Sequence, residues 1–416
     1  MQLEKNIKIG QTRNLTRNRR KDQVCKVYKV KVQDNALNKV QHEYLKMFFV
    51  EAKWIYNDIL NKGHNGYDYK VKKVEKLDKN KNRQSQDIKY IHSQIKQTLI
   101  QGIISSIKTL GILKKKGSKV GKLKFKSEIK SIDLKQYGVS YKIIGRNKIK
   151  IGGIKKPVRV NGLDQIDLEN VDFANAKILN TPSGYYFSLT TYIHKDKIKI
   201  IKPKSNKSIG IDFGCSTSFT LSNGKKLNIF VEESEHFKHL QRKLSRQKKG
   251  SNNRYKTIQL LKKEYEKLSN QKLDKANKLV HYLKSNFSNI VIQDEQLNNW
   301  KIRNGKKIQH SILGRVKSQL IRLDNVEILN KFVPTTKFCR NCGSIIEMPL
   351  YQRTFKCQCG VEEDRDVHAA NNMVWFKKNN IGVGCTEFKP AELEKFKETL
   401  GSQVLKQEDT KSLAWC

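Results

Sequence analysis

The sequence predicts a multidomain chain of mixed α+β and α/β class. A small β-barrel carrying a helical insertion comes first, and an α/β unit carrying a four-cysteine ribbon follows. Three observations predict this. The 416 residues exceed one ordinary domain. Strand-like alternation concentrates at residues 24–32 and 132–198, with helical periodicity between them. From about residue 208 the texture changes to apolar strands ending in acids, long basic helices and clustered cysteines.

The elements follow in order. Residues 1–23 hold seven Lys/Arg against Glu4 and Asp22, and read as an arm that orders on nucleic acid or as a flexible tail. Val24 to Val32 alternates apolar and basic residues, the period of a strand. Asn35 to Leu60 reads as a helix with Leu37, Val40, Tyr44, Phe48, Ala52, Ile55 and Ile59 on one face. Trp54 and Tyr56 are expected in core or partner-helix contacts, with base stacking as the lesser alternative. Residues 62–85 are polar and read as a loop, and Ile88 to Leu113 as a second helix. Ser105 to Lys130 carries nine lysines against Glu128, a candidate phosphate-contacting surface.

Residues 132–198 predict short strands broken by Gly-Arg-Asn and Gly-Gly turns, ending in a hairpin turned at Thr181-Pro182-Ser183-Gly184. Ile201 to Lys207 reads as a linker. Beyond it come three short strands, a basic stretch with ten Lys/Arg and no acid from Lys238 to Lys263, and a helix from Glu264 to Leu283. The strand Asn289-Ile290-Val291-Ile292 and helices at 309–323 and 366–376 complete the unit.

Composition narrows the function. Lys plus Arg is 84 against 39 Asp plus Glu, a formal charge of +45. A chain so charged repels itself, and a polyanion is the expected partner. No apolar run approaches the ~18–20 residues of a membrane span, and the first residues lack a signal-peptide core. A cytoplasmic chain is the expectation, and the clustered cysteines then point to metal ligation rather than disulfides.

Two groups of residues carry chemistry. Asp212 follows Ile209-Gly210-Ile211, Asp294 and Glu295 end an apolar strand, and Asp364 and Asp366 open a helix. Each alone is a cap or surface acid in most proteins. Three acids ending apolar elements in one basic unit favour a carboxylate cluster for two Mg²⁺ ions, since Mg²⁺ prefers oxygen ligands. Such a pair supports phosphodiester cleavage, the arrangement of an RNase H-like nuclease. Cys339, Cys342, Cys357 and Cys359 form a C-x₂-C and a C-x-C pair, a closed set for one structural Zn²⁺. Cys25, Cys215, Cys385 and Cys416 lack such spacing and read as plain thiols.

The motifs GIDFG (210–214), QRKLSRQKKGSNNRYK (241–256), IVIQDE (290–295), VPTTKFCRNCG (333–343), FKCQCG (355–360) and DRDVHAA (364–370) resemble, in this order, those of TnpB proteins. WIYN (54–57) and GVSYKIIGRNKIKI (138–151) extend the resemblance into the first half. TnpB proteins are transposon-encoded, RNA-guided DNA endonucleases related to miniature type V CRISPR effectors. The resemblance implies a basic arm over 1–23 and a wedge-like barrel over 24–34 and 120–203. It implies a helical recognition insertion over 35–119 and a RuvC-like nuclease domain over 204–334 and 361–380. A zinc ribbon over 335–360 and a tail over 381–416 complete it.

Asp212, Glu295 and Asp366 would be the catalytic, Mg²⁺-holding acids, with Asp294 the fallback for the middle one. Gln293 stands where many relatives have Glu, and His368 where the family has Asn. Lys243, Arg246, Lys248, Lys249 and Arg254 would contact phosphates. Tyr137, Tyr141, Tyr185 and Tyr186 are core aromatics or base-stacking groups, and His281 and His310 are structural. The implied partners are a structured guide RNA and double-stranded DNA bearing a short adjacent motif, in a prokaryotic cytoplasm and at the nucleoid when bound. Monomer and dimer both stay open. Two rival functions are a cleavage-inactive RNA-guided DNA-binding repressor and a DNA transposase of the RNase H-like superfamily.

Overall fold

The computed structural model of the chain describes residues 2–63, 67–77, 83–198, 202–349 and 351–381. It divides into two compact units, 1–199 and 200–416. The expected tail, with Cys385 and Cys416, lies outside the described residues, save Ile381.

The first unit opens with helix α1 (Gln2–Lys21), where an arm was expected. Its last turn is fastened, since Arg19 pairs with Asp172 at 3.3 Å and the Arg20 guanidinium lies 3.4 Å over the Tyr192 ring. Strand β1 (Gln23–Val32) buries Val30 and Val32 and turns Lys29 toward Tyr186. Helix α2 (Lys39–Lys62) starts at a capping box in which Asn38 and Gln41 each bond the other's amide. The expected apolar face holds except at Val40, which is exposed before the packed turns begin.

The segment read as a loop contains a hairpin, β2 (Lys73–Leu77) and β3 (Arg83–Asp87). Among the side chains described there, Val74 alone is deeply buried, so the strands lack the alternation that marks a half-buried sheet. Helix α3 (Ser93–Lys115) follows, then β4 (Ser131–Leu134), β5 (Tyr141–Ile144), β6 (Lys148–Ile151), β7 (Val158–Asn161), β8 (Asp172–Thr181) and β9 (Gly184–His194).

Among the described residues, the order β4-β8-β9-β1-β7-β6-β5 makes one antiparallel, barrel-like sheet of seven strands. β8 and β9 form the expected hairpin, with Thr181 opposite Gly184. The helices share the sheet's core. Phe48 and Ile55 of α2 pack in one cluster with Val30, Ile132, Phe187 and Leu189.

The second unit runs β10 (Ser208–Phe213), β11 (Phe219–Leu221), β12 (Lys226–Leu227), α4 (Glu235–Arg246), α5 (Asn252–Asn286) and β13 (Asn289–Gln293). It continues through α6 (Leu297–His310), α7 (Leu313–Leu320), β14 (Val326–Leu329), β15 (Thr354–Lys356), β16 (Glu362–Asp364) and α8 (Arg365–Lys378). The sheet order is β12-β11-β10-β13-β14. β10, β13 and β14 are parallel, and β11 and β12 antiparallel. The expected helix at 309–323 is broken, because α6 ends before Ser311 and α7 begins after Ile312. α5 is one continuous helix that starts at Asn252, with Ser251 capping the Arg254 amide.

Candidate active site and metal centre

β10 sends Ile209, Ile211 and Phe213 into the core cluster and Gly210 and Asp212 to its other face. That other face is covered by α8. A Cβ on Gly210 would stand 1.9 Å from the Ala370 carbonyl oxygen, so the helix backbone rests directly on the strand. Asp366 lies one helical turn before Ala370 and shares its face. Asp212 lies two residues beyond Gly210, so the two acids meet.

Electrostatics reports the same convergence. Burial, then the carboxylates of Asp366 and Glu295, push Asp212 well above the usual carboxylate range, with Arg365 opposing them. Burial also pushes Glu295 up, against the pull of Lys317. Asp212, Glu295 and Asp366 are thus brought together, each half-buried. Among the described residues, the four cysteines form the tight group able to hold a metal, their ligand atoms all within 4.8 Å of one another.

The neighbouring acids are held by other partners. Asp364 caps α8, accepting from the Asp366 and Val367 amides at 3.2 and 3.1 Å, and its other oxygen meets Lys226 Nζ at 2.7 Å. Against the push of burial, those contacts hold its carboxyl below the usual range. Asp294 is exposed and bonded to Lys317 Nζ at 2.7 Å. Each acidic pair therefore has one acid tied by a lysine, and of the four the untied Asp366 and Glu295 act most strongly on Asp212, with Asp364 a smaller contributor. An oxygen-only set with this much mutual repulsion matches a hard divalent cation.

The two departures from the family pattern are structural residues. Gln293 is buried and donates to the carbonyls of Asn330, Lys331 and Val333 at 3.1, 3.3 and 2.8 Å, while accepting from Thr335 Oγ1 at 2.9 Å. It anchors the end of β13 to the 330–335 segment. His368 is fully buried, stacks on Phe355 at 3.7 Å, and places its ring nitrogens 2.8 Å from the Phe338 carbonyl and 3.0 Å from Glu363. Arg340 pairs with the same Glu363.

The four cysteines sit on two turns. Gly343 donates to Cys339 in the first, and Gly360 to Cys357 in the second, beyond β15. Sγ of Cys339 is 3.6 Å from that of Cys359, and Sγ of Cys342 is 3.4 Å from that of Cys357. A disulfide would need about 2 Å, whereas a tetrahedron with 2.3 Å metal–sulfur bonds has edges of about 3.8 Å. Burial pushes the Cys339 thiol up to about 12, and the Asn341 amide draws Cys359 down to about 6. The set is consistent with a zinc ribbon, and the C-x-C bite fits it.

Other candidate residues divide. Lys243, Arg246, Lys248 and Lys249 are exposed at the α4–α5 junction. Arg254 is half-buried, and its guanidinium donates to the carbonyls of Leu244 and Gln247 and caps α4. Tyr141 is core and bonds the Ala174 carbonyl at 2.9 Å, and Tyr185 stacks on Phe49. His310 bonds the Val231 carbonyl at 3.1 Å, a structural role as expected. Sequence reasoning missed Lys226, Lys317 and Arg365. Only Arg365, inside Asp364-Arg365-Asp366, carried a sequence signal.

Comparison with known proteins gives the same segments. A family described as a probable transposase (OrfB_IS605) matches residues 192–303, and one described as a Cas12f1-like TNB domain matches residues 322–373. The first span takes in Asp212, the basic helices and the 294–295 doublet, and the second takes in the cysteines and Asp366. The chain is TnpB-like. A Streptomyces pristinaespiralis protein named "Putative RNA-guided DNA endonuclease" is 29% identical over 184 residues, which is 41% of this chain and 46% of that protein. The chain thus aligns with about half the length of that relative. A cryo-EM structure titled as a Cas12f1–sgRNA–target DNA complex aligns at TM-score 0.44 and 14% identity, over 85% of this chain and 99% of that one.

Proposed function

We propose that the chain is an RNA-guided, metal-dependent DNA endonuclease of the TnpB type. The observation that carries this reading is the pairing of acids: Asp212, Glu295 and Asp366 converge while Asp294 and Asp364 are held by lysines. On this reading the second unit is a RuvC-like nuclease domain that carries the ribbon as an insertion, and 335–360 holds one structural Zn²⁺. A pair of Mg²⁺ ions bound by the three acids would supply an activated water and charge compensation at phosphorus. Lys317 holds Asp294 and the Glu295 backbone carbonyl and leaves the Glu295 carboxylate free of its hydrogen bonds, while Arg365 Nε donates to Asp366 Oδ1 at 3.4 Å.

The charge of +45 supports RNA and DNA as partners. Base pairing by the guide RNA would select the target, and the barrel unit would grip the backbone. A cleft of about 750 Å³ in that unit, lined by Lys53, Trp54, Asn57, Lys76, Phe125 and Lys126, offers aromatic and cationic groups for the short DNA motif. Lys243, Arg246, Lys248 and Lys249 would follow a strand toward the acids.

Gln293 and His368, the two departures from the family pattern, are what would favour an inactive repressor. Both have structural partners, so neither favours it. The test is cleavage of a plasmid library by the protein with its copurified RNA in Mg²⁺. Double-strand cuts that Asp212→Ala abolishes are expected. Binding without cuts would overturn the reading in favour of a repressor, and strand joining in favour of a transposase.

A further inference from the structure

The acidic doublet at the end of β13 raises a question of choice. Asp294 and Glu295 are adjacent, carry the same charge, and sit on a segment that leaves the sheet. A flexible segment would offer either acid to a cation, or both. Two contacts remove that freedom. Gln293 locks the strand end through its bonds to the 330–335 segment. Lys317 on α7 also reaches the doublet. Its ammonium donates to Asp294 Oδ1 and to the Glu295 backbone carbonyl, both at 2.7 Å, and its side chain is only 16% exposed. One donor thus holds one acid by its carboxylate and the next by its backbone.

We infer that Lys317 is a positioning residue that reserves Glu295 for the metal by tying down Asp294. The inference rests on the reading of Asp212, Glu295 and Asp366 as a divalent-cation site, and it adds how the middle ligand is chosen. α7 is itself a fixed platform, with Leu313, Val316 and Leu320 all buried in the core of the unit. Lys317, between Val316 and Ser318, projects from that platform. Arg would keep both donations, because its fork also reaches a carboxylate and a carbonyl. Met would keep the bulk and lose both. Glu295 would then be free to rotate away from Asp212, which repels it.

The test is direct cation binding by the full chain, freed of RNA, with Mn²⁺ as the probe followed by electron paramagnetic resonance. Lys317→Met is expected to weaken Mn²⁺ binding at least tenfold, and Lys317→Arg to stay within threefold of wild type. Asp294→Asn, which leaves the bond to the Glu295 carbonyl, should also stay within threefold. Lys317→Gln, which keeps a polar side chain, is expected to follow Met and serves if the Met variant does not fold. Binding by Lys317→Met or Lys317→Gln as tight as wild type, while Asp212→Asn binds weakly, would overturn the role of Lys317 and leave the carboxylate site standing. Wild-type binding no tighter than that of Asp212→Asn would overturn both.

Discussion

At the scale of single residues, the acids at this site are chosen by their partners and not by their identity. Asp294 and Asp364 are carboxylates like Glu295 and Asp366, but each lies against a lysine. The sequence displays all five acids, and adjacency alone leaves the choice between Asp294 and Glu295 open. On the inference above, Lys317 decides it, 22 residues downstream of Glu295 on α7, a contact with no local sequence signature. The same holds for His368, whose partners Phe338, Phe355 and Glu363 come from three separate stretches.

The upward shift of Asp212 has a consequence for stability. In the window above its ordinary value of 3.8, the folded metal-free chain holds protons that the unfolded chain has lost. Stability contributed by this group therefore falls as pH rises through that window. At pH 7.5, Asp212→Asn is expected to raise the melting temperature of the metal-free protein by a few degrees, since ~1 kcal/mol moves a domain of this size about 2–4 °C. Mg²⁺ should raise the wild-type melting temperature and leave the variant unmoved. Calorimetry in the presence of a chelator and then of Mg²⁺ checks both, and a variant that melts lower than metal-free wild type would contradict the account.

At the scale of elements, the site depends on how closely α8 lies on β10. Gly210 permits that approach, and the sequence showed only a glycine inside an apolar strand. Gly210→Ala should lift the helix, lower the melting temperature by several degrees, and weaken Mn²⁺ binding with it. A variant with unchanged stability would mean that the helix does not rest on the strand. Elements with strong periodicity, such as α2, β1 and the β8–β9 hairpin, are legible from their residue spacing alone. The β2–β3 hairpin and α6 are not. Their strands and turns expose mostly polar groups, so packing rather than pattern defines them.

The ribbon is an element with little core of its own. Cys339, Met348 and Phe355 are its buried cluster. A structural zinc ion contributes on the order of 10 kcal/mol to such modules, far more than three buried side chains provide. Removing zinc with a selective chelator, with Mg²⁺ in excess, should abolish hydrogen-exchange protection across 335–364 and spare β10 and β13. Unchanged protection would contradict a structural metal.

At the scale of the whole molecule, the excess of 45 positive charges is what the composition states most plainly. No helix among the described residues is long and apolar enough to cross a membrane. If several phosphates of a bound RNA are neutralised, the logarithm of the affinity should fall steeply with the logarithm of salt, by about 0.7 for each phosphate on a single strand. Filter binding from low to moderate salt measures that slope, and a slope below one would contradict an extended phosphate interface. Replacing Lys243, Arg246, Lys248 and Lys249 together should make it shallower, whereas Arg254→Ala should lower stability instead, because Arg254 caps a helix.

The central claim is that three acids from β10, the end of β13 and the start of α8 share divalent cations. Crystals of the protein soaked in Mn²⁺ and measured at the manganese edge test it most directly. The account predicts anomalous density bounded by Asp212, Glu295 and Asp366, with a separate zinc-edge peak inside the four cysteines. Manganese density that avoids Asp212, or is absent where the three acids converge, would contradict it.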